Sequence, residues 1–505
     1  MDNSRFSVTM ATPRKQRRNS DNVQESSTAA TKLRRRSKII IVFLLLAGTI
    51  QILYISSNLQ VHFNVRKSLP WSSVREEASD GNDFGMLDAW PGKVADIDDD
   101  ERVAEKMIAK LQKKRLDYGM NFTCRALLTW KIEDLMLTFK TGKIQRFSQR
   151  HIIEDQEYHE MTLDCIKFRK EGGYYSKPRS RLEAEFPIAY SILMYKSVQQ
   201  VEQLLRTIYM PQNSYCIHVD AKSPQETIKA MKYIAGCFDN VFVSSKLETV
   251  SHCTYSVLQA ELNCMSDLLK RRRSWKYYIN LCGQDFPLKT NLEIVKTLQS
   301  LNGQNDIHSV KNPHQGRQIY EYTMKRGDIF RKLPLRFKNP APGNLTIYKG
   351  EFHVTMTRDF VDFAIKDNRA KALQQWLSDT VCPDEHYFST LDRIEDAPGG
   401  YRFDTKEDVT REKLWRKRSN SGEIECYGVY VRDICIFTVR DLPRIVHQPQ
   451  LFANKFHIDF DALAIDCLEE ILRDRTENPT NIDLSFAANM QHVKWKKSLI
   501  NKWLS

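Results

Sequence analysis

Residues 275–289 read WKYYINLCGQDFPLK. Tyr277, Tyr278, Ile279, Asn280 and Leu281 make a short apolar run of strand-favouring residues, and Cys282-Gly283 punctuates it. In an open α/β sheet, ligands gather outside the carboxyl ends of the strands. Cys282, Gly283, Gln284 and Asp285 fall at such an end. A pair of carboxylates there would suit a divalent ion. One carboxylate stands there, Asp285, beside Gly and Gln.

Working outward, Ile188–Met194, Tyr215–Asp220 and Val241–Val243 are further strand candidates before it. Between them, Val201–Tyr209, Ile228–Ile234 and Val257–Leu269 carry apolar residues at helical spacing. That β-α-β-α-β-α-β alternation predicts a parallel sheet covered by helices, a Rossmann-like half. No GxGxxG follows the first strand and no Walker loop occurs, so dinucleotides and ATP are not expected. Residues 303–343 read as loop, and Glu351–Met356 as a strand. Phe360–Ile365 and Ala370–Leu377 read as helices, and Pro383-Asp384-Glu385 opens another. Tyr427–Val431 and Ile434–Val439 form a hairpin around Arg432-Asp433, and Asp461–Arg473 is the closing helix.

The 505 residues suffice for one large α/β domain or two ordinary ones. Net charge is +13, but residues 1–38 hold ten Lys/Arg against three Asp/Glu, so +7 of it lies in a tail. The remaining +6 is spread thinly, which argues against a nucleic-acid partner. The tail is polar enough to be disordered. Ile39–Ile55 is an apolar run of seventeen residues, and KLRRRSK stands just before it. No cleavage site closes the run, so it reads as an uncleaved signal-anchor with the N-terminus cytosolic and the rest lumenal. Residues 56–120 read as a stem, 121–475 as the catalytic domain and 476–505 as a C-terminal extension. Asp96-Ile97-Asp98 has metal-ligand spacing, yet it lies in this polar stem without a strand before it. Asn121-Phe-Thr and Asn344-Leu-Thr are glycan acceptor triplets. The eleven cysteines lack repeated CxxC pairs, so a disulfide framework in an oxidising lumen outranks zinc.

The segments EAEFPIAYSI (183–192), LLRTIYMPQNSYCIHVDAKS (204–223), QAELNCM (259–265), INLCGQDFPLKTNLEIV (279–295), CPDE (382–385), VYVRDICIF (429–437) and LFANKF (451–456) closely resemble the core-2/I-branching β-1,6-N-acetylglucosaminyltransferases. The resemblance covers about residues 121–472. It implies a single-pass Golgi enzyme with a variant of the two-lobed nucleotide-sugar transferase (GT-A-like) fold. It implies inverting transfer of GlcNAc from UDP-GlcNAc to the 6-hydroxyl of GalNAc in Galβ1-3GalNAc, with no metal and no further cofactor. Glu385 then stands where the family has its general base, although alone it reads as a residue balancing a helix dipole. Arg432 and Lys455 match two basic side chains that replace the metal at the diphosphate. Asp459-Phe-Asp461 has metal spacing too, but helix capping explains it better. Leu193, Met194, Tyr195 and Asp220 match donor contacts, and His252 falls in the donor site where members often have Tyr. Trp415 matches an acceptor-stacking aromatic, and His308 and Arg317 are acceptor-contact equivalents. The family's bridges would be Cys124–Cys467, Cys165–Cys237, Cys216–Cys264 and Cys426–Cys435, with Cys282 free. Cys253 and Cys382 are extra to the pattern, and either a fifth bridge or two small buried side chains fits them. Transfer of glucose to the same acceptor, I-branching, peptide O-xylosyl transfer and a catalytically inactive lectin-like protein stand as alternatives.

Overall fold

Four apolar runs become the strands of one sheet in the computed structural model of the protein. It describes residues 105–113, 124, 153–271, 273–311, 316–325, 329–400, 410–416 and 424–479. Residues 1–38, expected as a cytosolic tail, residues 39–55, expected as a signal-anchor, Asp96-Ile97-Asp98, Asn121 and the segment after 479 lie outside the described residues. No helix among the described residues is long and apolar enough to cross a membrane.

Strands β1 (Ile188–Met194), β2 (Ser214–Val219), β3 (Val241–Val243) and β4 (Tyr277–Cys282) are parallel. Much further on, β5 (Asp285–Pro287), β6 (Val310–Lys311), β7 (Tyr320–Lys325), β8 (Ile329–Phe337), β9 (Tyr348–Lys349) and β10 (Thr355–Thr357) follow. The last of these runs antiparallel beside β4, giving the order β10-β4-β1-β2-β3. Alternate strand residues serve two cores. Ile188, Tyr190 and Ile192 face helices α1 (Val198–Ile208) and α2 (Gln225–Gly236), together with a distant helix from the end of the chain. Ala189, Cys216 and Tyr278 face α3 (Tyr255–Lys270), α5 (Arg358–Lys366), α6 (Asn368–Trp376) and α7 (Asp384–Leu391). Burial on both faces is why these strands read as continuous apolar runs rather than alternating ones. Helix α4 (Asn291–Ser300) starts at a capping box of Thr290 and Glu293.

The chain closes with β11 (Arg411–Glu412), β12 (Tyr430–Val431), β13 (Ile434–Cys435), β14 (Phe452–Asn454) and α8 (Ala462–Glu477). Strand β14 lies between β11 and β5, so the C-terminal part returns to the end of β4. Arg206 on α1 bonds Glu469 on α8 at 2.8 and 2.7 Å, and Gln203 donates to Asp466 and Glu469 at 2.8 Å each. Cys124–Cys467 fastens the chain before the sheet to α8 across 343 residues. The Cys165–Cys237, Cys216–Cys264 and Cys426–Cys435 bridges are also formed.

Two readings of the sequence need correction. Residues 303–343 hold β6 and the β7–β8 hairpin rather than loop alone. Tyr320 packs on Phe337 at 5.3 Å, and Lys332 lies over the Tyr320 ring, so the pairing is carried by partly exposed aromatics and not by an apolar run. The strand expected over Glu351–Met356 shrinks to Thr355–Thr357. Its first residues are held otherwise: Val354 N–H donates to the Asn280 side chain at 2.7 Å, which takes that backbone out of a ladder.

Candidate functional site

The carboxyl edge of the sheet brings the expected donor residues together. Asp220 N–H donates to Met194 C=O at 2.8 Å, and Gly283 N–H to Leu193 C=O at 2.9 Å, so three strand ends are tied side by side. A Cβ on Gly283 would stand 3.0 Å from Val201 Cγ2, tight enough to push β4 away from α1. Asp220 is buried. Its Oδ1 accepts the N–H groups of Lys222 (2.9 Å) and Val250 (3.2 Å), so the carboxylate organises the turn it ends. Tyr195 and His252 are exposed at the same edge.

Beyond β4 the chain turns under itself. Asp285 is fully buried and accepts Cys282 N–H and Asn454 Nδ2 at 2.7 Å each. His353 Nε2 and Arg411 lie 3.5 Å from its Oδ2. Burial opposes its charge, but Arg411 and His353 hold the carboxyl well below the usual range. Burial, with Asp285 adding, pushes the Cys282 thiol up to about 12. Cys282, Asp285 and His353 offer ligand atoms within 4.8 Å of one another, the one such group among the described residues. The carboxylate is already bonded to Cys282 N–H and Asn454 Nδ2 and faces Arg411, so the three form a buried polar cluster organised around Asp285.

Lys455 follows Asn454 directly. Burial lowers its ammonium pKa, and Arg432 lowers it further, so these two cations lie close enough to feel each other. Arg432 and Asp433 have φ of 51° and 61° at the tip of β12–β13. Two successive left-handed residues make the tight hairpin turn, and Cys426–Cys435 anchors its base. Arg432 is exposed there. Trp415, 42 % exposed, bridges to Ile434 and so stands beside the same hairpin.

Across from this edge, Glu385 occupies the first turn of α7. Arg317 Nη1 donates to Glu385 Oε2 at 2.8 Å, and Lys349 Nζ lies 3.6 Å from the same oxygen. Oε1 accepts no bond among the described residues. Gly350 N–H donates to the Glu385 C=O at 2.6 Å. A Cβ on Gly350 would sit 2.2 Å from His308 C=O and 2.8 Å from Ser389 Cβ on α7, so only glycine lets the chain pass between them. His308 is thus at the site by its backbone. Behind the surface, burial and then Glu385 push Asp384 up to about 7, and burial pushes Glu261 up to about 7. His386 is turned inward, its Nδ1 2.9 Å from Tyr348 C=O. Lys413 pairs with Glu351, and burial takes its ammonium down to about 8.

Sequence reasoning missed Lys349, Lys413 and Arg411, which are lone basic residues with no motif around them. Arg317, expected on an acceptor, is found on Glu385. The question left open at Cys253 and Cys382 is settled: they are bridged, and Cys382 N–H donates to Cys253 C=O at 2.8 Å. The loop that carries His252 is thereby bound to the start of α7.

A family model described as Core-2/I-Branching enzyme matches residues 188–446. A Bos taurus relative named beta-1,3-galactosyl-O-glycosyl-glycoprotein beta-1,6-N-acetylglucosaminyltransferase is 37 % identical over 366 residues, covering 70 % of this chain and 85 % of the relative. A Homo sapiens protein of the same name is 38 % identical over 341 residues, 65 % of this chain and 79 % of its own. A Sus scrofa protein carrying that name with "probable" and the number 7 is 39 % identical over 311 residues, 61 % and 72 % of the two chains. With over half the chain matched and these shares of its relatives spanned, the protein belongs to the Core-2/I-branching enzyme family.

Proposed function

We propose that the protein transfers GlcNAc from UDP-GlcNAc to the 6-hydroxyl of GalNAc in Galβ1-3GalNAc O-glycans, with inversion and without a metal, on a two-lobed GT-A-like scaffold. The donor lies along the carboxyl edge of the sheet, with uridine and ribose at Leu193, Met194, Tyr195 and Asp220 and His252 at its rim. Arg432 and Lys455 take the diphosphate. The acceptor stacks on Trp415 with its 6-hydroxyl at Glu385, and His308 and Arg317 border it. The acceptor oxygen attacks the anomeric carbon as the bond to UDP breaks. UDP keeps the bonding electron pair, and the hydroxyl proton passes to Glu385 and then to solvent.

The observation that carries this reading is the division of labour within Glu385. Two cations hold Oε2 and leave Oε1 open for the proton. Charge developing on the departing diphosphate needs fixed positive groups or a metal ion. Lys455, part-buried beside Arg432, supplies fixed ones, and the strong phosphate affinity of arginine adds to it. Buried disulfides suit a lumenal enzyme of the secretory pathway, anchored in the Golgi membrane by Ile39–Ile55.

The test uses the detergent-solubilised full chain with a panel of UDP-sugars, benzyl-linked Galβ1-3GalNAc and EDTA. The expected product is a β-1,6-linked GlcNAc branch, identified by NMR. Activity that vanishes in EDTA and returns with manganese overturns the role given to Arg432 and Lys455. Preference for UDP-glucose overturns the donor.

A further inference from the structure

Lys455, the ammonium assigned above to the diphosphate, stands on a stretch of chain that no ladder supports. Strand β14 ends at Asn454, and residues 455–457 have no regular structure. Buried backbone groups in such a stretch need partners from elsewhere. Lys455 C=O accepts the N–H of Phe437, just past the Arg432 hairpin, at 2.9 Å. Phe456 N–H donates to Gln284 C=O at 2.8 Å. Phe456 C=O and Ile458 N–H are both met by one side chain, Gln200 in the first turn of α1. Its Nε2 donates to Phe456 C=O at 2.9 Å, and its Oε1 accepts Ile458 N–H at 2.9 Å. The same Nε2 donates to Gly283 C=O, at the end of β4, at 2.9 Å.

Gln200 is 2 % exposed, and its amide serves backbone groups 83 and 256 residues along the chain. An apolar side chain would fill the same space, as Val198, Val201 and Leu204 do nearby on α1, but it would leave these buried groups unpaired. Phe456 also packs on Phe286 and Phe437, with ring centroids 6.1 and 5.6 Å apart. Apolar burial is non-directional, so these rings hold the segment down without setting how its peptides turn. The hydrogen bonds of Gln200 set that. On the other side of Lys455, Asn454 is fixed by its 2.7 Å bond to Asp285. The placing matters because a lysine ammonium is a point charge on a flexible stem, and a shift of about 1 Å in a reacting site can cost on the order of 10²-fold.

We infer that Gln200 is a positioning residue for the Lys455 ammonium, acting through the backbone that carries Lys455 rather than on the donor itself. The inference rests on the diphosphate role given to Lys455 and deepens it. A rival use of the same side chain is support of Gly283 and, through it, of the sheet edge given to the uridine. The two differ in which half of UDP feels the loss of Gln200.

Ligand-observed NMR titration of the detergent-solubilised full chain gives dissociation constants for UDP and for uridine without requiring turnover. Gln200→Met keeps the length of the side chain and removes its hydrogen bonds. It should weaken UDP about tenfold and leave uridine unchanged. Lys455→Met should weaken UDP at least as much, and adding Gln200→Met to it should cost nothing further. Gln203→Met removes two 2.8 Å bonds between α1 and α8 instead, and should lower the melting temperature while UDP binding stays. If Gln200→Met does not fold, Gln200→Asn, one methylene shorter and so short of the carbonyls, should show the same split between UDP and uridine. Equal weakening of UDP and uridine overturns the inference in favour of the Gly283 edge. Unchanged binding of both, or an additive loss in the double variant, also overturns it and leaves the role of Lys455 standing. UDP binding that survives Lys455→Met overturns the diphosphate role itself, and the inference falls with it.

Discussion

In the proposed mechanism the two oxygens of Glu385 do different work, and that makes the site testable residue by residue. Glu385→Gln keeps the shape and can still accept from Arg317, but it cannot take up a proton. Turnover should fall by roughly 10²–10⁴, the usual worth of a general base, while UDP affinity by calorimetry stays. A lectin-like protein would keep its whole function in that variant. Lys349 Nζ donates to Gly350 C=O at 3.1 Å and lies 3.6 Å from Oε2, so in the proposed mechanism it helps fix which oxygen faces the acceptor. Lys349→Met should lower kcat about tenfold with KM for UDP-GlcNAc unchanged, and Lys349→Arg should restore most of it. The sequence disclosed these residues unevenly. Glu385, Arg432 and Lys455 stand in motifs that the family resemblance makes readable. Lys349 and Lys413 do not, because a lone lysine in an aperiodic stretch looks like any surface charge until the fold brings a carboxylate to it.

Among the elements, α1 and α8 are held by charges that have little water to fall back on. Glu469 is fully buried, and Arg206 and Arg473 overcome the cost of that burial, holding its carboxyl down to about 2 against the usual 4.5. An acid with a lowered native pKa stabilises the fold above about pH 4.5, and that gain is lost as pH falls toward 2. Chemical denaturation from pH 5 to pH 2.5 should show this loss, and Glu469→Gln should show less of it. Arg206→Met leaves Glu469 facing one arginine and should destabilise by about 3–5 kcal/mol. The apolar strands β1–β4 were legible from composition because both faces are buried. The β7–β8 hairpin was not: its sequence is basic, includes Pro334, and pairs through local aromatic contacts that periodicity does not reveal.

Over the whole molecule, the active edge is assembled from segments far apart in the chain, and covalent ties hold them. Cys253–Cys382 closes 129 residues and joins the His252 loop to the base of α7. The paired substitution Cys253→Ser, Cys382→Ser should cost up to about 5 kcal/mol in the chain-entropy account. Calorimetry should register the drop in melting temperature, and kcat should fall because Glu385 sits three residues from the severed tie. This pairing was open in the sequence, since two unassigned cysteines do not reveal whether the fold unites them. Cys124–Cys467 has a consequence in time as well as in space. At about 5–20 residues per second, the 343 residues between the two cysteines take on the order of tens of seconds to synthesise. For that whole interval Cys124 is an unpartnered nucleophile while eight other bridging cysteines emerge before its mate. Yield of the native enzyme should therefore depend on how fast the ribosome delivers the last helix, and on whatever thiol-exchange catalyst corrects earlier mistakes.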